Sequence, residues 1–397
     1  MQKKILYVEH GLKPYGGGHE GMLIIFKNID RSMFDLHLYS LKKSIFAEKS
    51  EQAGVTFHEN AIKSKYLISE VKSIIRSWRL IFFIIEAVRY IIEFYRFVKR
   101  ERFQVLHPCD NLSVITCLIV GRLLGIPVVF HIKDDFGAGY HRFLVGFYSK
   151  YASFIIPTAK NIAVPFLKKA PSKTIVVYDG FDLGFYNRDT LKSTVRDEFS
   201  IPKDRFCISV VAVLKERKGH IYLLKALKKM VDAGLSNFVC FIVGEGDLYD
   251  KLRRYCIEND LADKVIFTNF RTDPWNFIIA SDLVVLPSLA EGLPKVSMEG
   301  LALKTLCAGS RVSGMPEILI DGKTGFLFSS QDVESLFEVI KKVYKTPLSE
   351  FNNIKEAGYS HLRETFSIDK CVRSLEEIYN KVTLDAANLL RANPSRH

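Results

Sequence analysis

The sequence predicts an α/β protein: two doubly wound, Rossmann-like domains facing a central cleft. Three observations point there. At 397 residues the chain is too long for one ordinary domain. Short apolar runs recur in two series and alternate with helical patterns, as parallel sheets covered on both faces require. A polar stretch from Asp179-Gly180-Phe181-Asp182 to about Asp204 parts the two series. The expected division is 1–182, 183–370 and a C-terminal helix, 371–397, returning to the first domain.

The first series of strands is Ile5–Val8, Phe34–Leu41, Val105–His107, Val128–His131, Phe154–Pro157 and Thr174–Val177. The second is Phe206–Val213, Phe238–Val243, Lys264–Phe267 and Leu283–Leu286. Short apolar runs bounded by turn residues read as buried strands. In such sheets ligands bind beyond the carboxyl ends of the strands, so the loops there are the places to look for chemistry.

After the first strand comes Gly16-Gly17-Gly18-His19-Glu20-Gly21, which fits G-x-G-x-x-G literally. The strand ends near Val8, leaving too long a loop for the tight dinucleotide turn, and Tyr39 to Lys43 hold no acidic residue for a ribose. NAD is therefore rejected. A glycine loop also lets backbone amides approach a diphosphate or sugar, or is simply a surface turn.

Between Trp78 and Arg100 the polar residues Arg79, Glu86, Arg89, Glu93, Arg96 and Arg100 form one helical stripe, leaving a broad apolar arc. The uninterrupted run Leu80 to Ile85 is too short to span a bilayer. Two readings stand: a core helix, or a helix lying on an anionic membrane through residues 76–102, with Arg76, Arg79, Lys99, Arg100 and Arg102 near lipid phosphates.

Val128 to His131 ends in Lys133-Asp134-Asp135 at the expected cleft edge, where a His can donate to a sugar hydroxyl or handle a proton. The next domain's first strand ends in a basic loop, Lys215-Glu216-Arg217-Lys218-Gly219-His220. Cations there suit a leaving nucleoside diphosphate, which gains negative charge as a glycosidic bond breaks. Gly244-Glu245-Gly246 and Asn269-Phe270-Arg271-Thr272-Asp273 close the following two strands with turn chemistry.

Leu283 to Leu286 leads into Pro287-Ser288-Leu289-Ala290-Glu291-Gly292-Leu293-Pro294-Lys295-Val296, with a second acid at Glu299. Pro294 sits where a helix begins. The first amides of a helix lack partners and face a positive dipole end, so a phosphate docked on Leu293 to Val296 would have a carboxylate on each side. The plain alternative is an ordinary strand–loop–helix unit with one solvated Glu and one Glu in the N-terminal turn of the helix.

The Glu291-to-Glu299 spacing resembles the signature of retaining GT-B glycosyltransferases of the GT4 family (glycosyltransferase group 1). Ser313-Gly314-Met315-Pro316-Glu317 and Asp321-Gly322-Lys323-Thr324-Gly325 continue the resemblance, which covers most of the chain. It implies the GT-B fold, a donor-side glycine pair within Gly16, Gly17 and Gly18, a functional His131, and a diphosphate-binding Lys218-Gly219 pair. It also implies donor contacts at Gly244, Glu245, Arg271, Leu293, Pro294, Lys295 and Val296, with Glu291 on the donor sugar and Glu299 on the ribose. One position departs: the family's Arg falls on Val213, so Lys215 or Arg217 would have to replace it.

The activity so implied is retaining, metal-independent transfer from a nucleotide-diphosphate sugar, expected to be a UDP-sugar, with catalytic roles for His131, Glu291 and Lys218. No cofactor and no metal are expected. The acceptor expected from the apolar 78–100 helix and the basic balance is a lipid-linked saccharide in surface polysaccharide or glycolipid synthesis. A sugar-nucleotide epimerase and a non-catalytic sugar-nucleotide-binding subunit remain alternatives.

Composition agrees and sets limits. Hydrophobic residues make up 48% and charged ones 25%, enough for substantial cores. The seven cysteines show no CxxC pair, against a disulfide framework or structural zinc. With no signal-peptide pattern, a cytoplasmic protein is expected, peripheral on the inner face of the membrane. The net charge of +12 suits anionic lipid or phosphorylated substrates; without any nucleic-acid-binding motif, nucleic acid is not an expected partner.

Overall fold

The structure, a computed structural model, describes residues 2–10, 17–60, 79–132 and 141–392. Gly16, Arg76, Trp78, Asp134 and Asp135 fall outside these. Two compact units emerge: one gathers the chain up to Thr158, Ala163–Gly180 and the chain from Ile368 onward, the other Ala159–Ile162 and Phe181–Ser367.

The first unit is built on β1 (Lys3–Glu9), β2 (Phe34–Ser40), β3 (Thr56–Glu59), β4 (Val105–Pro108), β5 (Val129–Ile132) and β6 (Phe154–Pro157). Four strands pair in the order β3-β2-β1-β4, and β5 pairs with β6. A parallel bridge between Leu106 and Val128 sets β5 beside β4. Strand β1 is buried from Ile5 to Glu9, as a central strand covered on both faces must be. The C-terminal helix Ile368–Ala392 closes this core: Cys371, Val372, Leu375, Ile378, Tyr379 and Val382, spaced as one helical face, pack with Ile5, Tyr7 and Phe34. Gly180 permits the junction, since a Cβ there would lie 2.8 Å from the Ile368 Cα.

The second unit contains β7 (Phe206–Val211), β8 (Phe238–Val243), β9 (Val265–Asn269), β10 (Leu283–Leu286), β11 (Cys307–Ser310) and β12 (Phe326–Phe328). Their order is β12-β11-β10-β7-β8-β9, all parallel. Counted from its own first strand, this is the doubly wound order 3-2-1-4-5-6, and it reverses between β7 and β10. Two parallel sheets with flanking helices are thus the α/β class read from the sequence.

Some elements differ from the sequence reading. Thr174–Val177, read as a strand, contributes a single bridge from Thr174 to Ile155. Strands β3, β11 and β12 escaped it. Thr56–Glu59 has one apolar residue among four, Cys307–Ser310 has small side chains, and Phe326–Phe328 is three residues long, so none carries a periodic apolar signal.

Candidate active site

In the second unit the loops after β7 and β10 flank the point where the strand order reverses, the crevice position for ligands in an open α/β sheet. Three features join them. The Leu289 amide donates to the Arg217 carbonyl at 2.8 Å. Gly219, at φ +66°, brings its backbone so near Pro287 that a Cβ would stand 1.9 Å from the Pro287 oxygen. The third is chemical: Lys218 Nζ donates to Glu291 Oε1 at 2.5 Å. Lys218 leaves a short 3₁₀ turn, Glu216–Lys218, that Gly219 ends in the left-handed conformation only glycine adopts freely.

Glu291 is buried, its side chain 7% exposed. Ser288 Oγ donates to Oε1 at 2.6 Å, and Arg217 Nη1 lies 3.9 Å from Oε2. A buried carboxylate is stable only when paired and hydrogen-bonded, and here a cation and a hydroxyl do both. On the opposite side of the loop, Gly314 admits the Gly292 carbonyl to within 2.1 Å of where a Cβ would be. Pro294 then caps the helix Lys295–Ala302, so Leu293, Pro294, Lys295 and Val296 form its entry.

Glu299 follows one turn into that helix. Burial pushes its carboxyl above the usual range, partly opposed by the Tyr186 hydroxyl, which donates to Oε1 at 2.9 Å, and by the Lys295 charge. Beside Lys218, His220 opens the helix His220–Asp232 and is 1% exposed. Neither ring nitrogen has a hydrogen-bond partner among the described residues. Burial and the Lys218 charge push this imidazole down to about 4.

The other expected residues fall as follows. Val213 is 46% exposed at the position of the departure, and Lys215 and Arg217 are exposed in the same loop. Gly244, at φ +140°, lets the β8 end lie against the Ala212 carbonyl, and Glu245 is exposed with its carbonyl accepting from the Leu214 amide at 2.9 Å. Arg271 is held by Glu198 and Asp273, each through two hydrogen bonds of 2.9–3.2 Å, and stacks over Phe277. Those carboxylates, Asp273 foremost, raise its already high pKa.

In the first unit, Gly17 and Gly18 open the helix Gly17–Asn28 after β1. His131 lies at the carboxyl end of β5, buried, with Nε2 3.9 Å from Asp179 Oδ1 and its ring edge-on to His107. The reversal of strand order here falls between β1 and β4. Two pairs at these strand ends were missed from sequence: His10 with Asp110, at 3.1 Å, and Glu9 with His19, at 2.7 Å. Ser288 and Tyr186 were missed too. Each is a single polar residue in an irregular loop, a signal shared with ordinary loop chemistry.

Residues 192–361 match the family model described as glycosyl transferases group 1. A UDP-Gal:alpha-D-GlcNAc-diphosphoundecaprenol alpha-1,3-galactosyltransferase of Escherichia coli is 25% identical over 311 residues, 75% of this chain and 80% of that protein. A Campylobacter jejuni N-acetylgalactosaminyltransferase named for a diphospho-undecaprenol-linked substrate is 26% identical over 220 residues, 54% of this chain and 57% of that protein. Anabaena HepE, crystallised in complex with UDP, superposes with a TM-score of 0.78 at 17% identity, covering 96% of this chain and 100% of its own. That likeness is one of fold, the GT-B fold. The match to the group 1 glycosyl transferases thus lies in the second unit, the one that holds the Lys218–Glu291 pair.

Proposed function

We propose that the chain is a retaining glycosyltransferase that moves a hexosyl group from a UDP-sugar to a lipid-linked saccharide, without a metal, at an anionic membrane surface. The observation that carries this reading is the pairing of half-buried Lys218 with buried Glu291 at the strand-order reversal, above a helix entry. Before donor binds, each charge compensates the other. With donor bound, Lys218 and the amides of Leu293 to Val296 hold the diphosphate, and Glu291 turns to the hydroxyls of the sugar. Glu299 takes the ribose hydroxyls. Arg217, beside Glu291, is a better replacement than Lys215 for the cation lost at Val213. Gly16, Gly17, Gly18 and His131 keep the roles the family resemblance implies: approach to the diphosphate, and the handling of sugar hydroxyls and protons. Gly244, Glu245 and Arg271 shape the loops that border the base.

Charge builds on the leaving diphosphate and at the anomeric carbon in an oxocarbenium-like transition state. Fixed cations and helix-end amides aimed at that diphosphate stabilise it more than they stabilise the ground state. The UDP in the Anabaena HepE structure and the UDP-Gal in the Escherichia coli relative's name support a uridine donor. The undecaprenol-linked acceptors named for both bacterial relatives support a lipid-linked one.

A membrane surface is supported by two neighbouring helices. Arg79–Glu101 exposes Ile84, Ile85, Val88 and Ile92; Asn111–Leu124 exposes Ile115, Ile119 and Leu123 at four-residue spacing. The exposed cations Arg89, Arg96, Lys99, Arg100 and Arg122 lie on the same helices. No helix among the described residues is long and apolar enough to cross a membrane.

The exposed Val213, where the family has Arg, favours one second reading, a sugar-nucleotide binder without turnover. A panel of UDP- and GDP-sugars, incubated with EDTA and a vesicle-borne polyprenyl-diphosphate saccharide, separates the two. The expected result is consumption of one UDP-sugar with retained anomeric configuration. UDP binding with no turnover of any donor selects the binder. Activity abolished by EDTA removes the metal-free mechanism.

A further inference from the structure

The second unit holds a cavity lined by charged side chains, at the end of its sheet away from the Lys218–Glu291 pair. Its floor is the amino-terminal approach to β10 and β11, Ser281–Asp282 and Thr305–Leu306, whereas Lys218 and Glu291 lie beyond the carboxyl ends. The cavity measures about 440 Å³, and five cations line it: Arg188, Lys192, Arg196, Lys304 and Lys355, against one carboxylate, Asp282.

Two of the five are neutralised. Arg196 lies 3.3 Å from Asp282 and also donates to the carbonyls of Pro202 and Arg205. Lys304 pairs with Glu356 at 2.7 Å. The other three meet no carboxylate at ion-pair distance among the described residues. Arg188 donates to the carbonyls of Lys304 and Ile279, both at 3.3 Å, and Lys192 to the carbonyl of Arg188 at 3.1 Å. Carbonyls satisfy N–H groups but carry no opposite full charge, and Asp282 acts on Arg188 and Lys355 only from beyond ion-pair distance. Lys355 shows the consequence: burial and then the Arg188 charge lower its pKa, with Asp282 only partly opposing them. Arg188 and Lys192 are exposed and Lys355 is half-buried, yet all three line the same hollow, where like charges raise the local anion concentration.

We propose that this cavity is a second anion site, binding a ligand through a phosphate or diphosphate group held by Arg188, Lys192 and Lys355. Its volume accommodates a phosphorylated small molecule as well as a lipid phosphate headgroup. The planar Arg188 fork suits two phosphate oxygens, while the two lysines supply point charges. The site stands independently of the donor assignment, since it shares no residue with the loops after β7 and β10.

The test is calorimetric titration of the full chain with inorganic pyrophosphate at constant ionic strength. Lys218→Ala serves as the control for the donor loop, and Arg188→Gln/Lys355→Met as the test variant. The expected result is binding that survives Lys218→Ala and weakens about tenfold or more in the double variant, the loss of two charge-assisted contacts. Because Arg188 also braces two carbonyls, Lys192→Met and Lys355→Met are measured singly, and each should weaken binding without lowering Tm. Flotation with phosphatidic acid vesicles, against phosphatidylcholine alone, identifies the source. Lys355-dependent flotation assigns the site to a lipid headgroup; pyrophosphate binding without it assigns a soluble phosphate. Binding lost in Lys218→Ala and unchanged in the cavity variants overturns the proposal, as does no pyrophosphate binding at millimolar concentration.

Discussion

His220 shows how a single side chain beside the proposed donor loop connects chemistry to stability. Its imidazole, ordinarily near 6.5, is pushed down to about 4 by burial and by Lys218. Between those values the unfolded chain holds a proton that the folded chain refuses, so acid favours unfolding and stability rises with pH across the window. The loss by pH 4 is on the order of 3 kcal/mol, at 1.36 kcal/mol per unit. His220→Leu removes the titration. Denaturant unfolding followed from pH 7 to pH 4 should therefore show a flatter profile in His220→Leu than in the wild type, and parallel profiles would disprove this account of the residue. At this scale the sequence was legible where a residue belongs to a spaced set. Glu291, Glu299 and Lys218 stood out because strand ends, a helix start and a glycine framed them. Ser288, Tyr186 and the His10–Asp110 pair did not, because a lone polar residue in a loop has no distinctive spacing and the partners of Tyr186 and His10 are distant in sequence.

At the scale of the element, the proposed site depends on backbone approach as much as on side chains. Gly219 ends the 3₁₀ turn, starts the helix His220–Asp232 and admits the Pro287 oxygen, all at φ +66°. A methyl group there meets a rigid backbone atom, so one of the two loops must shift. Gly219→Ala should cost roughly 2–4 kcal/mol by adding steric strain to an unfavourable left-handed conformation. Because the displaced loop carries Lys218, donor turnover should fall as well. Gly234→Ala is the control: it also has positive φ, at +74°, but a Cβ there meets nothing within 4 Å. Thermal melts and donor turnover of the two variants should diverge, and equal losses would show that the close approach is immaterial. The long strands were read from sequence because burial on both faces makes them continuously apolar. Strands β11 and β12 were not, since they are short and their place comes from pairing with β10 and with each other. The register of neighbours, rather than local propensity, makes them strands.

The whole molecule combines a nucleotide-type fold with a positive charge of +12 and an apolar surface on two helices of the first unit. The sequence suggested the surface on the helix Arg79–Glu101 but not on Asn111–Leu124, whose exposed positions are interleaved with buried ones in a nearly continuous apolar run. If this surface meets lipid, Ile119→Glu and Leu123→Glu should each lower partition onto anionic vesicles by about tenfold, since burying an aliphatic side chain contributes ~1.5 kcal/mol or more. Flotation measures this, and unchanged partition would assign the exposed residues to another partner. The central claim, however, concerns the Lys218–Glu291 pair, which as a structural ion pair alone would affect stability and nothing else. The most direct measurement is donor turnover and UDP affinity determined together for the wild type, Lys218→Ala and Glu291→Gln. A transferase using this pair predicts that turnover falls by about 100-fold or more in both variants, as loss of a group acting in the transition state does. Under the same account UDP affinity in Glu291→Gln stays within about threefold, because the carboxylate contacts the sugar and not the nucleotide. Wild-type turnover in either variant, with only the melting temperature lowered, would contradict it.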